Sequence, residues 1–352
     1  MKTSAVVLGF AATRALAHPG MDRVMAEIET RDDFVLGARS SLLFGDLLKG
    51  AVTNIGNTIK SILQQGSSST NNANIAYSPP GPLGSNACNN DPLCVWYYVA
   101  KEMYGDFADI LGCTDLARGA VRLGFHDAAG WDVNSAFGGA DGSLLLTDEL
   151  SLPENRGLAS IGAVTKGYYN KYNPYGAGMA DIIQLGAIVG TVACPGGPRI
   201  RAFAGRIDDP RPNPRLLPSP FMSAPVLIDL FANKTFTAND LVALVGAHTS
   251  AKQSFVDVNR PNAPLDLDPQ IWDASFYAQT LIGNNKTFFI LPSDKALATF
   301  SSTRAQWNAF AGLAGQALWN PAFADAYFRM SMLGVNNMNQ LIEITRVVPS
   351  QR

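Results

Sequence analysis

One segment constrains this chain more than any other. It runs Asp115-Leu116-Ala117-Arg118-Gly119-Ala120-Val121-Arg122-Leu123-Gly124-Phe125-His126-Asp127. Thr114 stands where a helix N-cap belongs, and Asp115 suits the positive end of a helix. Arg122 and His126 are four residues apart, so the spacing puts them on one helix face, with Phe125 flanking it. A second segment runs from Thr237 to His248. Thr237 with Asp240 three later resembles a capping box. Leu241, Leu244 and Val245 precede His248 by seven, four and three residues, an apolar stripe that ends in an inward-facing histidine.

The rest of the chain is consistent with a mainly α fold. From Cys88 onward helical periodicity dominates, long strand-like alternation is absent, and Pro-rich stretches such as Asp209–Pro214 read as loops. The segment Gly66–Asn74 is a polar Ser/Asn-rich linker, and Ser78-Pro79-Pro80-Gly81-Pro82 excludes regular structure. These place a boundary near residue 85, between an N-terminal extension over 18–85 and a domain over 86–348.

The start of the chain points to a compartment. Met1-Lys2-Thr3 is basic, Ala5–Ala12 is mostly apolar, and Ala15-Leu16-Ala17 is a small-x-small cleavage pattern. Together they predict a secretory signal peptide over 1–17, too short to span a membrane. No later stretch is apolar for about 18 residues. A net charge of −2 implies neither nucleic acid nor an anionic membrane as partner. The four cysteines, Cys88, Cys94, Cys113 and Cys194, suit two disulfides in a secreted chain. Three pairings are possible; Cys88 with Cys94 closes a short loop and leaves Cys113 with Cys194. Asn233-Lys234-Thr235 and Asn285-Lys286-Thr287 are glycosylation sequons.

There are only three histidines, and His18 lies at the expected cleavage point. A histidine on an apolar helix face is more often a satisfied core residue than a ligand. Arg122 changes the odds, because a buried guanidinium is costly unless it serves an anion or a developing charge. An imidazole beside an arginine suits heterolysis of hydrogen peroxide. The imidazole moves a proton between the two oxygens, and the arginine stabilises charge on the departing one. Iron opposite them needs a basic ligand, which a histidine bonded to a carboxylate provides.

These residues resemble a known family. Arg122-Leu-Gly-Phe125-His126-Asp127 resembles the distal helix of the class II fungal secreted haem peroxidases, the lignin, manganese and versatile peroxidases, here in a generic, ascomycete-like form. Phe125 and Ala128 differ from the residues usual in the cytochrome c peroxidase and plant secretory branches. Gly138-Gly139-Ala140-Asp141-Gly142-Ser143 and Leu244-Val245-Gly246-Ala247-His248-Thr249 extend the match, which covers roughly residues 88–345.

The resemblance implies a two-lobed fold with haem b between distal and proximal helices. It implies His248 as iron ligand and Asp294 as the carboxylate that takes its other ring proton. Arg122, Phe125 and His126 would form the distal side, with Asn155 holding the distal Nδ1 proton and Glu149 anchoring that loop. It further implies two Ca²⁺ ions. The distal one would use Asp127, Gly139, Asp141 and Ser143; the proximal one Thr249, Asp266, Asp268, Ile271 and Asp273. Cys113 and Cys194 sit where the family places a bridge. The family usually has four bridges, so this chain departs in having two at most, and its N-terminal extension is longer.

The specialised sites of the family are missing. Of the three acids that hold manganese, only Asp115 is acidic; the other positions are Gly119 and Ser254. The position of the exposed electron-relay tryptophan is Ala243, which leaves Trp131, Trp272, Trp307 and Trp319 as substitutes or, more simply, core anchors. The expectation is a monomeric peroxidase that oxidises small phenolic and aromatic donors at the haem edge. The alternative is a non-enzymatic secreted haem- and calcium-binding interaction module, which predicts a broken distal pair. A thiolate-ligated peroxygenase would need a free cysteine.

Overall fold

The computed structural model describes residues 39–73, 77–283 and 286–352. The expected signal peptide, His18 and Asn285 lie outside them. The longer helices, in chain order, are α1 (Asn54–Leu63), α2 (Cys94–Phe107), α3 (Asp115–Ala128), α4 (Ala159–Tyr172) and α5 (Met179–Ala193). They continue with α6 (Ala224–Ala232), α7 (Ala238–Val245), α8 (Ser275–Ile282), α9 (Pro292–Thr299), α10 (Arg304–Ala311) and α11 (Gly315–Met330). Among the described residues strands are confined to two antiparallel pairs, Phe203–Ala204 with Ile342–Glu343 and Lys252–Gln253 with Ala263–Pro264. The mainly α expectation is met.

Two helix groups meet in this fold. In the first, α5 is buried along its whole length and packs on α2, α3 and α4. Small residues bring α3 close to it. A Cβ on Gly124 would lie 2.6 Å from Ala187 Cβ, and one on Gly190 would lie 2.6 Å from the Ala117 carbonyl oxygen. The Cys113–Cys194 disulfide joins the residue before the α3 cap to the C-cap of α5. Helix α3 begins where expected, with Thr114 Oγ1 accepting from Ala117 N. The face of α3 that carries Arg122 and His126 is therefore fixed by a cap, a bridge and a close crossing.

In the second group α7 packs on α11, and α8 on α10. Thr237 and Asp240 form the expected capping box. The chain then tightens into a 3-10 turn, Gly246–Ser250, which carries His248. Buried aromatics hold α7 from behind: Tyr277 OH donates to Val242 O at 2.8 Å and Trp319 Nε1 to Ala243 O at 2.9 Å. Trp272 stacks on Trp319 with ring centroids 5.1 Å apart.

The N-terminal part differs from expectation. Residues 39–352 form one compact unit, so no boundary falls near residue 85. Phe44, Leu47, Ile59, Ile62 and Leu63 join the main core. The buried Arg329 guanidinium on α11 donates to the carbonyls of Ser40, Leu42 and Leu63. Asp46 accepts from Met338 N and Asn339 N. The polar stretch expected to be a free linker is tied down too: Arg201 N donates to Ser69 O at 2.8 Å, and Thr70 bridges Ile200. The buried Arg199 guanidinium donates to Asn71 O at 2.5 Å, and its need for carbonyl partners helps hold this polar, Ser-rich segment in place.

Candidate active site

The distal side is assembled on α3. Arg122 Nη1 donates to Arg156 O at 2.8 Å and Nη2 to Glu154 O at 3.4 Å. Its Nε donates to His126 Nε2 at 3.2 Å. The other ring nitrogen, His126 Nδ1, lies 2.7 Å from Asn155 Oδ1. Asn155 cannot be turned round, because its Nδ2 donates to Glu149 O at 2.7 Å. Both contacts select one tautomer: Nδ1 carries the proton and Nε2 the lone pair. Burial, and then the charge of Arg122, pushes the His126 pKa down to about 3, against the pull of Asn155. Burial lowers Arg122 to about 10, so the pair at neutral pH is a cation beside a neutral base. Phe125 meets His126 edge-on at 5.7 Å and stacks on Phe231.

The proximal side is assembled on the turn after α7. His248 Nδ1 is 3.0 Å from Asp294 Oδ2. Asp294 is buried in the first turn of α9, where the helix end favours a negative charge. Burial opposes a charged His248 ring, but the Asp294 charge and hydrogen bond outweigh it and raise the pKa. With Nδ1 committed to Asp294, Nε2 is the free lone pair. Phe276 packs edge-on to the ring at 5.9 Å. A third of the His248 side chain stays open, 33%, and Arg122, Phe125 and His126 are also only half-buried amid buried neighbours. The charge of Arg122 also acts at His248, where it opposes protonation of the ring.

Beside each histidine lies an oxygen-rich loop. On the distal side Asp127, Asp141 and Ser143 are buried. Gly142 N and Leu144 N donate to Asp127, and Ser143 N to Asp141 Oδ1. Asp141 Oδ2 and Ser143 Oγ are buried with no partner. Burial and the charge of Asp141 drive the Asp127 pKa well above normal, and burial lifts Asp141 to about 6. Two buried carboxylates and an orphaned hydroxyl are the arrangement a hard cation satisfies. Gly139, at φ +108, adds a carbonyl on a backbone packed against Leu333 O.

On the proximal side Thr249 Oγ1 faces Asp266 Oδ2 at 3.4 Å, and both residues are buried. Asp268 and Asp273 turn their carboxylates onto Gln270 N and Ser275 N, and Ile271 N donates to Asp268 O. Burial raises Asp266, with Asp273 adding to it. Among the described residues no three His, Cys, Asp or Glu side chains converge as a metal cluster. Both loops instead mix carboxylates with hydroxyl and carbonyl oxygens.

The cysteines pair as Cys88–Cys94 and Cys113–Cys194, and none is free. Asp115 is ion-paired with Arg118 and Lys252. A Cβ on Gly119 would come 3.0 Å from Ile161, and Ser254 bonds Asn262. Ala243 is buried, and so are all five tryptophans, the most open being Trp131 at 9%. Trp131, Trp272, Trp307 and Trp319 are thus core anchors.

One residue escapes sequence reasoning, which places Asn213 only in a Pro-rich loop. Its N donates to Glu149 Oε1 at 2.9 Å, its Nδ2 to Asp127 O at 2.8 Å, and its Oδ1 accepts from Gly139 N at 2.8 Å. It thereby ties the Asn155 loop, the distal helix and the Gly139 turn together. The acidic side chain of Glu149 anchors through Asn213, while its carbonyl orients Asn155. The one signal in the sequence is Pro212-Asn213-Pro214, two prolines that fix the backbone around one polar side chain.

The sequence profile of the peroxidase family matches residues 99–312. The chain belongs to the peroxidase family. Similar proteins include a peroxidase of Coprinopsis cinerea, 30% identical over 303 residues, 77% of this chain and 82% of that one. A peroxidase of Arthromyces ramosus is 29% identical over 293 residues, 76% of this chain and 79% of the relative. Manganese peroxidase 3 of Phlebia radiata is 30% identical over 293 residues, 76% of this chain and 79% of the relative. This peroxidase is a haem-dependent oxidoreductase with hydrogen peroxide as acceptor. Among its described residues no helix is long and apolar enough to cross a membrane.

Proposed function

We propose that this peroxidase oxidises small phenolic and aromatic donors at the edge of a haem held by His248, with Arg122 and His126 cleaving the peroxide. The observation that carries the reading is the opposed tautomer control. Asn155 fixes one imidazole as a base whose Nε2 carries the lone pair, and Asp294 fixes the other as an electron-rich ligand. Haem, when bound, supplies the redox chemistry: two electrons to the peroxide and their later recovery from donors. The chain's own residues handle the proton and the charge. His126 Nε2 accepts the proton of one peroxide oxygen and delivers it to the departing one. Arg122, anchored by two carbonyls, stabilises the charge that develops there. Phe125, braced on Phe231, keeps the base in place and water sparse.

Calcium would bind at Asp127, Gly139, Asp141 and Ser143, and a second ion at Thr249, Asp266, Asp268, Ile271 and Asp273. Each site starts at a residue next to a histidine of the cleft. Manganese oxidation is not part of the proposal, because Asp115 is already neutralised by two cations. Secretion is supported by the two disulfides, which persist in oxidising compartments. The intact Arg122, His126 and Asn155 network speaks against a non-enzymatic binding module. A steady-state panel of a phenol, Mn²⁺ and a high-potential non-phenolic donor tests the reading. Turnover should be confined to the phenol; strong Mn²⁺ turnover would sink it.

A further inference from the structure

We propose that Arg156 and Phe255 form a donor-recognition rim that favours aromatic ligands carrying a carboxylate. The inference rests on the peroxidase reading of the cleft and names the class of molecule its mouth selects. Gly157 sits at φ +88, and a Cβ there would lie 3.2 Å from both Arg122 Nη1 and Phe255 Cε2. A side chain here would be strained at this φ and would crowd both the distal arginine and Phe255, so glycine suits the point where the two flank this loop. Phe255 is 49% exposed, a large apolar surface left open beside the reacting groups. The Arg156 guanidinium lies over its ring, 5.2 Å from the centroid. Arg156 Nε is anchored to Pro153 O at 3.1 Å, while neither Nη nitrogen has a hydrogen bond among the described residues.

An exposed ring next to an unoccupied guanidinium fork matches a small aromatic acid, ring to ring and carboxylate to Nη. The nearby charges do not cancel this. Arg122 adds a second cation, and Lys252 and Arg118 are committed to Asp115. Glu154 and Glu149 line the His126 side of the loop with Arg215, and Asp257, two residues after Phe255, accepts from Asn259 N.

Equilibrium binding of benzoate and of benzyl alcohol to the resting, haem-loaded protein, measured by calorimetry without peroxide, tests the rim. Arg156→Gln should weaken benzoate three- to fivefold, about the strength of one partly exposed ion pair, and leave benzyl alcohol unchanged. Arg156→Lys, which keeps the charge, should retain most of the preference, and Phe255→Ala should weaken both ligands. High salt should reduce the benzoate preference of the wild type. An unchanged benzoate-to-alcohol ratio in Arg156→Gln overturns the proposal, and so does equal loss of both ligands. Failure of the wild type to react with peroxide would instead refute the peroxidase reading and leave the binding ratio to judge the rim.

Discussion

Replacing Asn155 with alanine removes a single acceptor, 2.7 Å from His126 Nδ1, and leaves the base itself in place. A buried N–H without a partner costs about 1–3 kcal/mol. The ring can avoid that cost by carrying its proton on Nε2 instead, but Nε2 is the atom that must accept from peroxide, and it also meets the Arg122 Nε donor. The productive tautomer is thus disfavoured by roughly the same 1–3 kcal/mol, and each 1.36 kcal/mol is a factor of ten in rate. The second-order rate constant for reaction with peroxide, followed by stopped-flow absorbance of the Soret band, should fall about 10- to 100-fold. The resting spectrum should not change, since His248 and Asp294 are untouched. A companion expectation concerns pH. The folded pKa of His126 is depressed to about 3, so its neutral form is present above that value and lost as pH falls through it. The wild-type rate constant should therefore be flat from pH 5 to 8. An Asn155→Ala rate within twofold of wild type, or a wild-type rate that drops below pH 6, would refute the reasoning.

Chelation of calcium gives a further expectation. Asp127 and Asp141 are buried together with unpartnered oxygens, so removing the ion should lower the melting temperature and slow the peroxide reaction. At free Ca²⁺ 100 times its dissociation constant, each site adds about 2.7 kcal/mol; equal melting curves with and without chelator would contradict both sites. The two disulfides should differ in worth. Cys113–Cys194 spans 81 residues and should contribute about 4.5 kcal/mol, against roughly 2 kcal/mol for Cys88–Cys94, which spans 6. Paired Cys→Ser variants in denaturant unfolding measure the difference; a larger loss from the Cys88–Cys94 pair would count against the loop-entropy argument.

The parts of this molecule legible in its sequence are those set by short spacing. The Arg122–His126 face, the Thr114 cap and the Thr237–Asp240 box follow from contacts three or four residues apart, and the structure reproduces each. The partners Asn155 and Asp294 lie 29 and 46 residues from their histidines, and only family resemblance points to them. Long-range polar contacts are not legible at all. The carbonyls of Ser40 and Leu42 satisfy Arg329 across separations of 289 and 287 residues, so composition makes residues 39–73 look like an appendage when they complete the core. Asn213 is hidden for the same reason: its three bonds reach back 64 to 86 residues.

In the proposed mechanism the two histidines have different roles, His248 holding iron and His126 moving a proton. Haem titration into the His248→Ala and His126→Ala variants separates them. The Soret band of the bound state should be lost in His248→Ala and kept in His126→Ala, whose reaction with peroxide should slow by about 10²- to 10⁴-fold. A Soret band that survives in His248→Ala and vanishes in His126→Ala would contradict this division of roles.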